Sequence, residues 1–340
     1  MSASPATPSY AVSPFDHPRA DVILRSSDNI DFRVFKLFLS LASPVFETMF
    51  GLPQPAEGES ADEETRDGLP VVPVSEASKT LDALMRFCYP CTLAEDPSIE
   101  NYKDVTDVLD AAKKYSLDTV TATICKALFI PQILKDDSLR CFVVALRAGL
   151  REQCILAAKY SLREPLVPGW FDEIQLISST DLLALLTYHW KCADAVQALK
   201  RDLSWIKRNY TAAPVWIAGR CDSSSRCISR STSGKYYDLY KDGVAQWWEE
   251  FMEATFETLK DKPCAETVKI SVDATIQKMR SHNCSHCPSR IAEGMREFST
   301  IMINKVEKST EKVSVFPLLS CRHDNMLTPF VLQIQLGLMF

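Results

Sequence analysis

The one stretch of this sequence whose residue types and spacing suggest metal chemistry is His282-Asn283-Cys284-Ser285-His286-Cys287. A Cys-x2-Cys turn lets two thiolates converge on one tetrahedral ion, as in a zinc knuckle. One pair is half a site. Cys221 and Cys227 would supply the other half, with Cys264, His282 or His286 as substitutes, although the gap between Cys221 and Cys227 is looser than the usual knuckle. Free thiols at a helix turn are the stronger reading. A zinc on Cys221, Cys227, Cys284 and Cys287 would have four protein ligands and no open position, so it would hold the fold and not catalyse. No other cofactor is expected.

Catalytic chemistry finds less support. The sequence has no GxGxxG dinucleotide turn, no GxxxxGK[ST] phosphate loop, no HExxH and no GxSxG elbow. The five histidines do not define a nucleophile–His–acid set. Glu63-Glu64 and Glu249-Glu250 are adjacent pairs, which diverge on a helix or lie free in a loop. The expectation is a non-catalytic protein. The rival is an enzyme whose site lies in the C-terminal helical part, which would need a deep pocket with convergent, pKa-shifted groups.

Composition narrows the partners. At 340 residues the chain has room for two domains, and only 10 glycines together with helical stripes argue for a mostly α protein. A net charge of −6 argues against a general phosphate-binding surface, so no nucleic acid is expected. The best basic patch, Lys200, Arg201, Lys207 and Arg208, is interrupted by Asp202 and Trp205 and reads as a solvated helix face. No run approaches the roughly 18 apolar residues of a membrane span, so no membrane association is expected. The 12 cysteines of a chain without an apolar leader read as reduced thiols in the cytoplasm or nucleus. Cys88, Cys125, Cys141, Cys154 and Cys192 fall in apolar helical stripes and read as small core residues.

The elements that position these side chains begin at Ala20. A strand start at Asp21-Val22-Ile23-Leu24 meets the polar turn Ser26-Ser27-Asp28-Asn29. A second strand alternates with Ile30, Phe32 and Val34 on one face. In Leu39-Ser40-Leu41-Ala42-Ser43-Pro44-Val45-Phe46, serine before proline reads as N-cap and first turn of a helix. Leu69-Pro70-Val71-Val72-Pro73-Val74 reads as the next strand. Leu81, Leu84, Met85 and Cys88 make a helical stripe ending in Arg86-Phe87-Cys88-Tyr89-Pro90. Val105, Val108, Leu109 and Ala112 lead into Ala111-Ala112-Lys113-Lys114-Tyr115. This series, with its "LSxxSPVF", "xxFxY" and "aAxKY" phrases, resembles a BTB/POZ domain. The cysteine and proline around Tyr89 look most like the large fungal, basidiomycete-type family of BTB proteins.

The resemblance implies an α+β N-terminal domain, and the apolar faces of these elements place Phe32, Val34, Leu39, Val45, Phe46, Leu84, Phe87, Tyr89, Leu109 and Tyr115 in one core. It also implies a protein-binding scaffold or adaptor, acting for a cullin-type ubiquitin ligase or, alternatively, as a nuclear regulator that recruits co-regulators. One departure stands out. Many such domains carry a histidine after the second strand, facing an aspartate at the start of the first; here Asp21 is present and Phe35 replaces the histidine. The family's charged groove is therefore expected to be altered and a homodimer built on it to be weak.

The expected organisation is a disordered Pro/Ser tail at 1–19, the BTB/POZ domain at 20–130, a helical extension at 131–210, a C-terminal helical bundle with the cysteine pairs at 211–310, and an apolar tail at 311–340. Pro53 to Gly68 reads as an acidic, flexible loop. Asp136-Asp137-Ser138 reads as a capping start. His189, beside Trp190 on an apolar stripe, reads as a core or edge histidine. Three stripes, led by Trp247, Trp248 and Phe251, read as a small helical bundle.

Overall fold

A computed structural model describes residues 8–52, 64–167, 169–211, 214, 217, 236, 239–240, 244–280 and 287–314, of Cys287 the backbone alone. The chain divides into two compact units, Met1–Cys154 and Ile155–Phe340.

In the first unit five strands form one sheet: β1 (Ser9–Tyr10), β2 (Val22–Arg25), β3 (Ile30–Val34), β4 (Thr65–Arg66) and β5 (Leu69–Pro73), in the order β1-β3-β2-β5-β4. The β2–β3 hairpin is antiparallel, with Leu24 opposite Phe32. Its turn is the expected one. Asn29 adopts φ 61°, a left-handed geometry that asparagine tolerates, and the Ser26 hydroxyl accepts from the Ile30 amide at 2.9 Å. Strand β5 lies parallel to β2, which requires a crossover. Helices α1 (Lys36–Ala42) and α2 (Pro44–Gly51) occupy part of it. Then come α3 (Ser78–Cys88), α4 (Tyr102–Lys114), α5 (Asp118–Leu128), α6 (Pro131–Asp136), α7 (Ser138–Ala148) and α8 (Arg151–Ser161), which runs past Cys154.

Alternation in β2 and β3 puts Val22, Leu24, Phe32 and Val34 on one face, and all are buried, as are Leu39, Phe46, Leu84, Tyr89, Leu109 and Tyr115. Val45 and Phe87, expected in that core, are only half-buried. Each sits on the flank of its helix's apolar stripe, where Phe46 and Leu84 take the central place.

Two boundaries differ from the sequence reading. The expected disordered tail at 1–19 is structured from residue 8. Strand β1 pairs parallel to β3 with Tyr10 opposite Asp31, and Phe15 is fully buried with its ring 5.6 Å from Phe32 and 5.3 Å from Tyr89. A proline-rich segment hides such an anchor because it shows no periodicity. The acidic stretch expected as loop through Gly68 yields strand β4, antiparallel to β5 across the Asp67-Gly68 turn; its residues 53–63 lie outside the described residues. Asp137 takes the N-cap position of α7, but its carboxylate accepts from Arg140 at 2.6 Å and caps no backbone N–H.

In the second unit, α9 (Ser179–Arg201) opens with a capping box between Ser178 and Asp181. Helices α10 (Ser204–Asn209), α11 (Gln246–Asp261), α12 (Ala265–Arg280) and α13 (Cys287–Glu311) follow. Trp248, Met252, Phe256, Val268, Met295, Phe298 and Val306 share a buried cluster, so the three expected stripes pack on one another. Residues 212–243, apart from 214, 217, 236, 239 and 240, and the expected apolar tail from 315 onward lie outside the described residues.

Candidate interaction surface

Helix α1 is short and two-faced. It buries Leu39 and turns Leu37 and Leu41, one helical turn apart, into solvent at 63% and 78% exposure. The chain fixes this helix from outside it. Its N-cap residue, Phe35, has no capping side chain, and the Asp21 carboxylate instead accepts from the Lys36 amide at 2.8 Å. Asp21 therefore serves the start of α1, where a negative charge complements the helix dipole.

Phe35 fills the histidine's place with an aromatic cluster. Its ring lies 5.4 Å from His17, 5.5 Å from Phe38 and 6.4 Å from Tyr89, and its amide donates to the Tyr89 hydroxyl at 3.1 Å. Burial pushes the Tyr89 phenol up to about 12. The position is thus aromatic and apolar where a charged pair was the family expectation.

The opposite face of the sheet is charged. Asp31, fully buried, accepts from the Arg25 guanidinium at 2.6 and 3.1 Å and pairs with Arg66. Arg25 also reaches Glu64 at 2.5 Å, and Arg33 pairs with Asp67. Burial alone would raise the Asp31 carboxyl, but Arg25 and Arg66 outweigh it and hold it below the usual carboxylate range. Sequence reasoning missed this network. The signal was there: alternation that sends Phe32 and Val34 to the core sends Asp31 and Arg33 to the other side, level with Arg25.

A second set of contacts stiffens the helical layer. The Asp28 carboxylate accepts from the Ser78 amide at 2.8 Å and hydroxyl at 2.6 Å, capping α3 from the hairpin turn. Glu76 accepts from Lys114 and from the Tyr115 hydroxyl, both at 2.7 Å. Burial pushes Glu76 up, and these two donors bring it below its ordinary value.

The predicted metal site is not tested by this geometry. Cys221, Cys227, Cys284, His282 and His286 lie outside the described residues, as does the side chain of Cys287. Cys264 is half-buried with its sulfur 3.5 Å from the Thr267 hydroxyl. Cys141, Cys154 and Cys192 are buried as expected, whereas Cys88 and Cys125 are half-buried at the edges of their stripes. His189 is a core histidine, its Nε2 3.1 Å from the Glu164 carbonyl oxygen. In the basic patch, Lys200 pairs with Glu253 at 2.7 Å and Arg201 with Asp194 at 3.1 Å, so part of its charge is internally compensated. Among the described residues no helix is long and apolar enough to cross a membrane.

Comparison with known families agrees with this geometry. Residues 15–130 match the BTB/POZ domain, so the chain carries an N-terminal BTB/POZ domain followed by a helical region. The match begins at Phe15, the buried anchor before β2. Among curated proteins no relative matches the chain.

Proposed function

We propose that this chain is a protein-interaction adaptor that performs no catalysis of its own and docks through the outer face of α1. The supporting observation is the pair Leu37 and Leu41, standing out of a helix whose ends are pinned by Asp21 and by the Ser43-Pro44 corner. Two exposed leucines on a fixed helix are an apolar contact that water disfavours. The face suits a second copy of the chain, because a two-fold contact sets like residues against like, and here those residues are apolar. With Phe35 in place of the histidine, the pair lacks the family's charged contact and is weak.

The finer reading is an adaptor of the fungal BTB type that joins a substrate, held by the helical unit, to a cullin-type ubiquitin ligase in the cytoplasm or nucleus. An interaction domain followed by a separate, well-packed helical unit supports that division of labour. Sedimentation of the full chain at tens of micromolar tests the docking face, a range matched to a contact worth about 6–8 kcal/mol. The wild-type chain is expected to dimerise and Leu37→Glu/Leu41→Glu to stay monomeric. A wild-type monomer, or a dimer that survives the double substitution, overturns the reading. Capture with purified cullin separates the ligase role from recruitment of nuclear co-regulators.

A further inference from the structure

Tyr10 stands where the charged face of the sheet meets its edge. The guanidinium of Arg66 lies 4.1 Å from its ring centroid and that of Arg33 lies 5.1 Å away. Its hydroxyl donates to Asp67 Oδ2, the oxygen that Arg33 also holds. The residue keeps 37% exposure. Strand β1 lies at the sheet edge and pairs with β3 over Ser9 and Tyr10, the Ser9 amide donating to the Asn29 carbonyl at 3.2 Å and the Ala11 amide to the Asp31 carbonyl at 2.9 Å. An edge strand of two residues can open without unpairing β3 from β2, which presents the phenol to an enzyme.

We propose that Tyr10 is a phosphorylation site, with Arg33 and Arg66 as the receptor for the phosphate and Asp67 as the group it displaces. In the transfer, the phenol oxygen bonds to the γ-phosphorus of a nucleoside triphosphate bound by a tyrosine kinase. The bond from that phosphorus to the β–γ bridging oxygen breaks, a nucleoside diphosphate leaves, and the phenol proton passes to the kinase's base. The product carries a charge of about −1.5 to −2 and three acceptor oxygens. It has no proton to give Asp67 and repels that carboxylate. Arg33, now paired with Asp67, turns to the phosphate, which offers it stronger charge-assisted bonds. Arg66 stays tied to the buried Asp31, with its guanidinium 4.1 Å from the Tyr10 ring centroid.

Asp67 can leave because it is exposed and sits in the β4–β5 turn, at φ 54° before Gly68 at φ 76°. Modification thus exchanges the tie between β1 and the β4–β5 turn for a tie between β1 and β3. The site shares no residue with the outer face of α1, and the two can fail separately.

The full chain with phosphotyrosine placed at position 10 by amber suppression tests the receptor. Phosphorus NMR should show the second phosphate ionisation about one pH unit below that of a phosphorylated peptide of residues 5–15. Arg33→Met should return it toward the peptide value, and Asp67→Asn should lower it further. A phosphate that titrates in the full chain as in the peptide, or that ignores both substitutions, overturns the receptor. Asp67→Asn changes an exposed side chain, so it keeps the test decisive if Arg33→Met fails to fold. Separately, the unmodified full chain with a broad-specificity tyrosine kinase and MgATP should gain phosphate at Tyr10. Peptide mapping that finds none there overturns the site.

Discussion

The Ser43 hydroxyl donates to the Tyr115 backbone carbonyl at 2.6 Å while accepting from the Phe46 amide at 3.1 Å. One buried oxygen thus starts α2 and closes the end of α4 onto it. The Phe46 and Tyr115 rings stack at 4.5 Å above this bond. Two phrases far apart in the sequence meet in one joint.

Removing that hydroxyl tests the joint. Ser43→Ala should cost about 1–3 kcal/mol, combining a lost N-cap with a buried carbonyl left without its donor. Chemical denaturation of the full chain, followed by a probe in the first unit, measures it. A change within about 0.5 kcal/mol would mean that water replaces the serine at little cost.

Strand β1 and Phe15 make a second prediction. Deleting residues 1–19 removes strand β1 and takes Phe15 from between Phe32 and Tyr89, and should destabilise the first unit. Phe15→Ala alone should cost about 3–5 kcal/mol, the usual loss for a fully buried phenylalanine. Thermal melts of the truncation and the substitution against the full chain give the comparison. Equal melting temperatures would show that the anchor is dispensable.

Much of this fold was legible because it follows period and punctuation. The β2–β3 alternation, the Ser43-Pro44 cap and the stripe from Trp247 to Leu259 each announce their element locally. Phe15 was not legible, since a lone aromatic among prolines carries no period. Nor was the Asp31 network: Arg66 and Asp31 are distant in sequence, and only the fold makes them neighbours. Of the α1 face, the departure at Phe35 was legible and the exposure of Leu37 and Leu41 was not. Their apolar character alone pointed inward.

The cysteine pairs give a third prediction. If Cys221, Cys227, Cys284 and Cys287 share a zinc, purified chain should carry one equivalent by elemental analysis. A chelator should then loosen the second unit and leave the first folded, because metal binding energy is folding energy only where the ligands sit. Zinc content near zero in chain purified without chelator ends the idea.

His189 makes the last prediction, and it concerns pH. Its side chain is buried, with Nε2 on the Glu164 carbonyl and no hydrogen-bond partner for Nδ1 among the described residues. Burial, the largest influence, lowers its pKa below 6.5, although the Glu164 bond and the charge of Asp261 pull the other way. The unfolded chain, titrating near 6.5, therefore binds more protons than the folded one as pH falls below that value. The stability contributed by neutral His189 is complete above about pH 6.5 and is lost on acidification toward the folded pKa. For one proton the slope cannot exceed about 1.4 kcal/mol per pH unit. Urea unfolding followed by tryptophan fluorescence, between pH 5 and pH 8, should show wild type losing more stability than His189→Gln. Glutamine keeps a donor for Glu164 and does not titrate. Parallel pH profiles for the two proteins would mean that the imidazole reaches water, and a steeper loss in the variant would reverse the sign argued here.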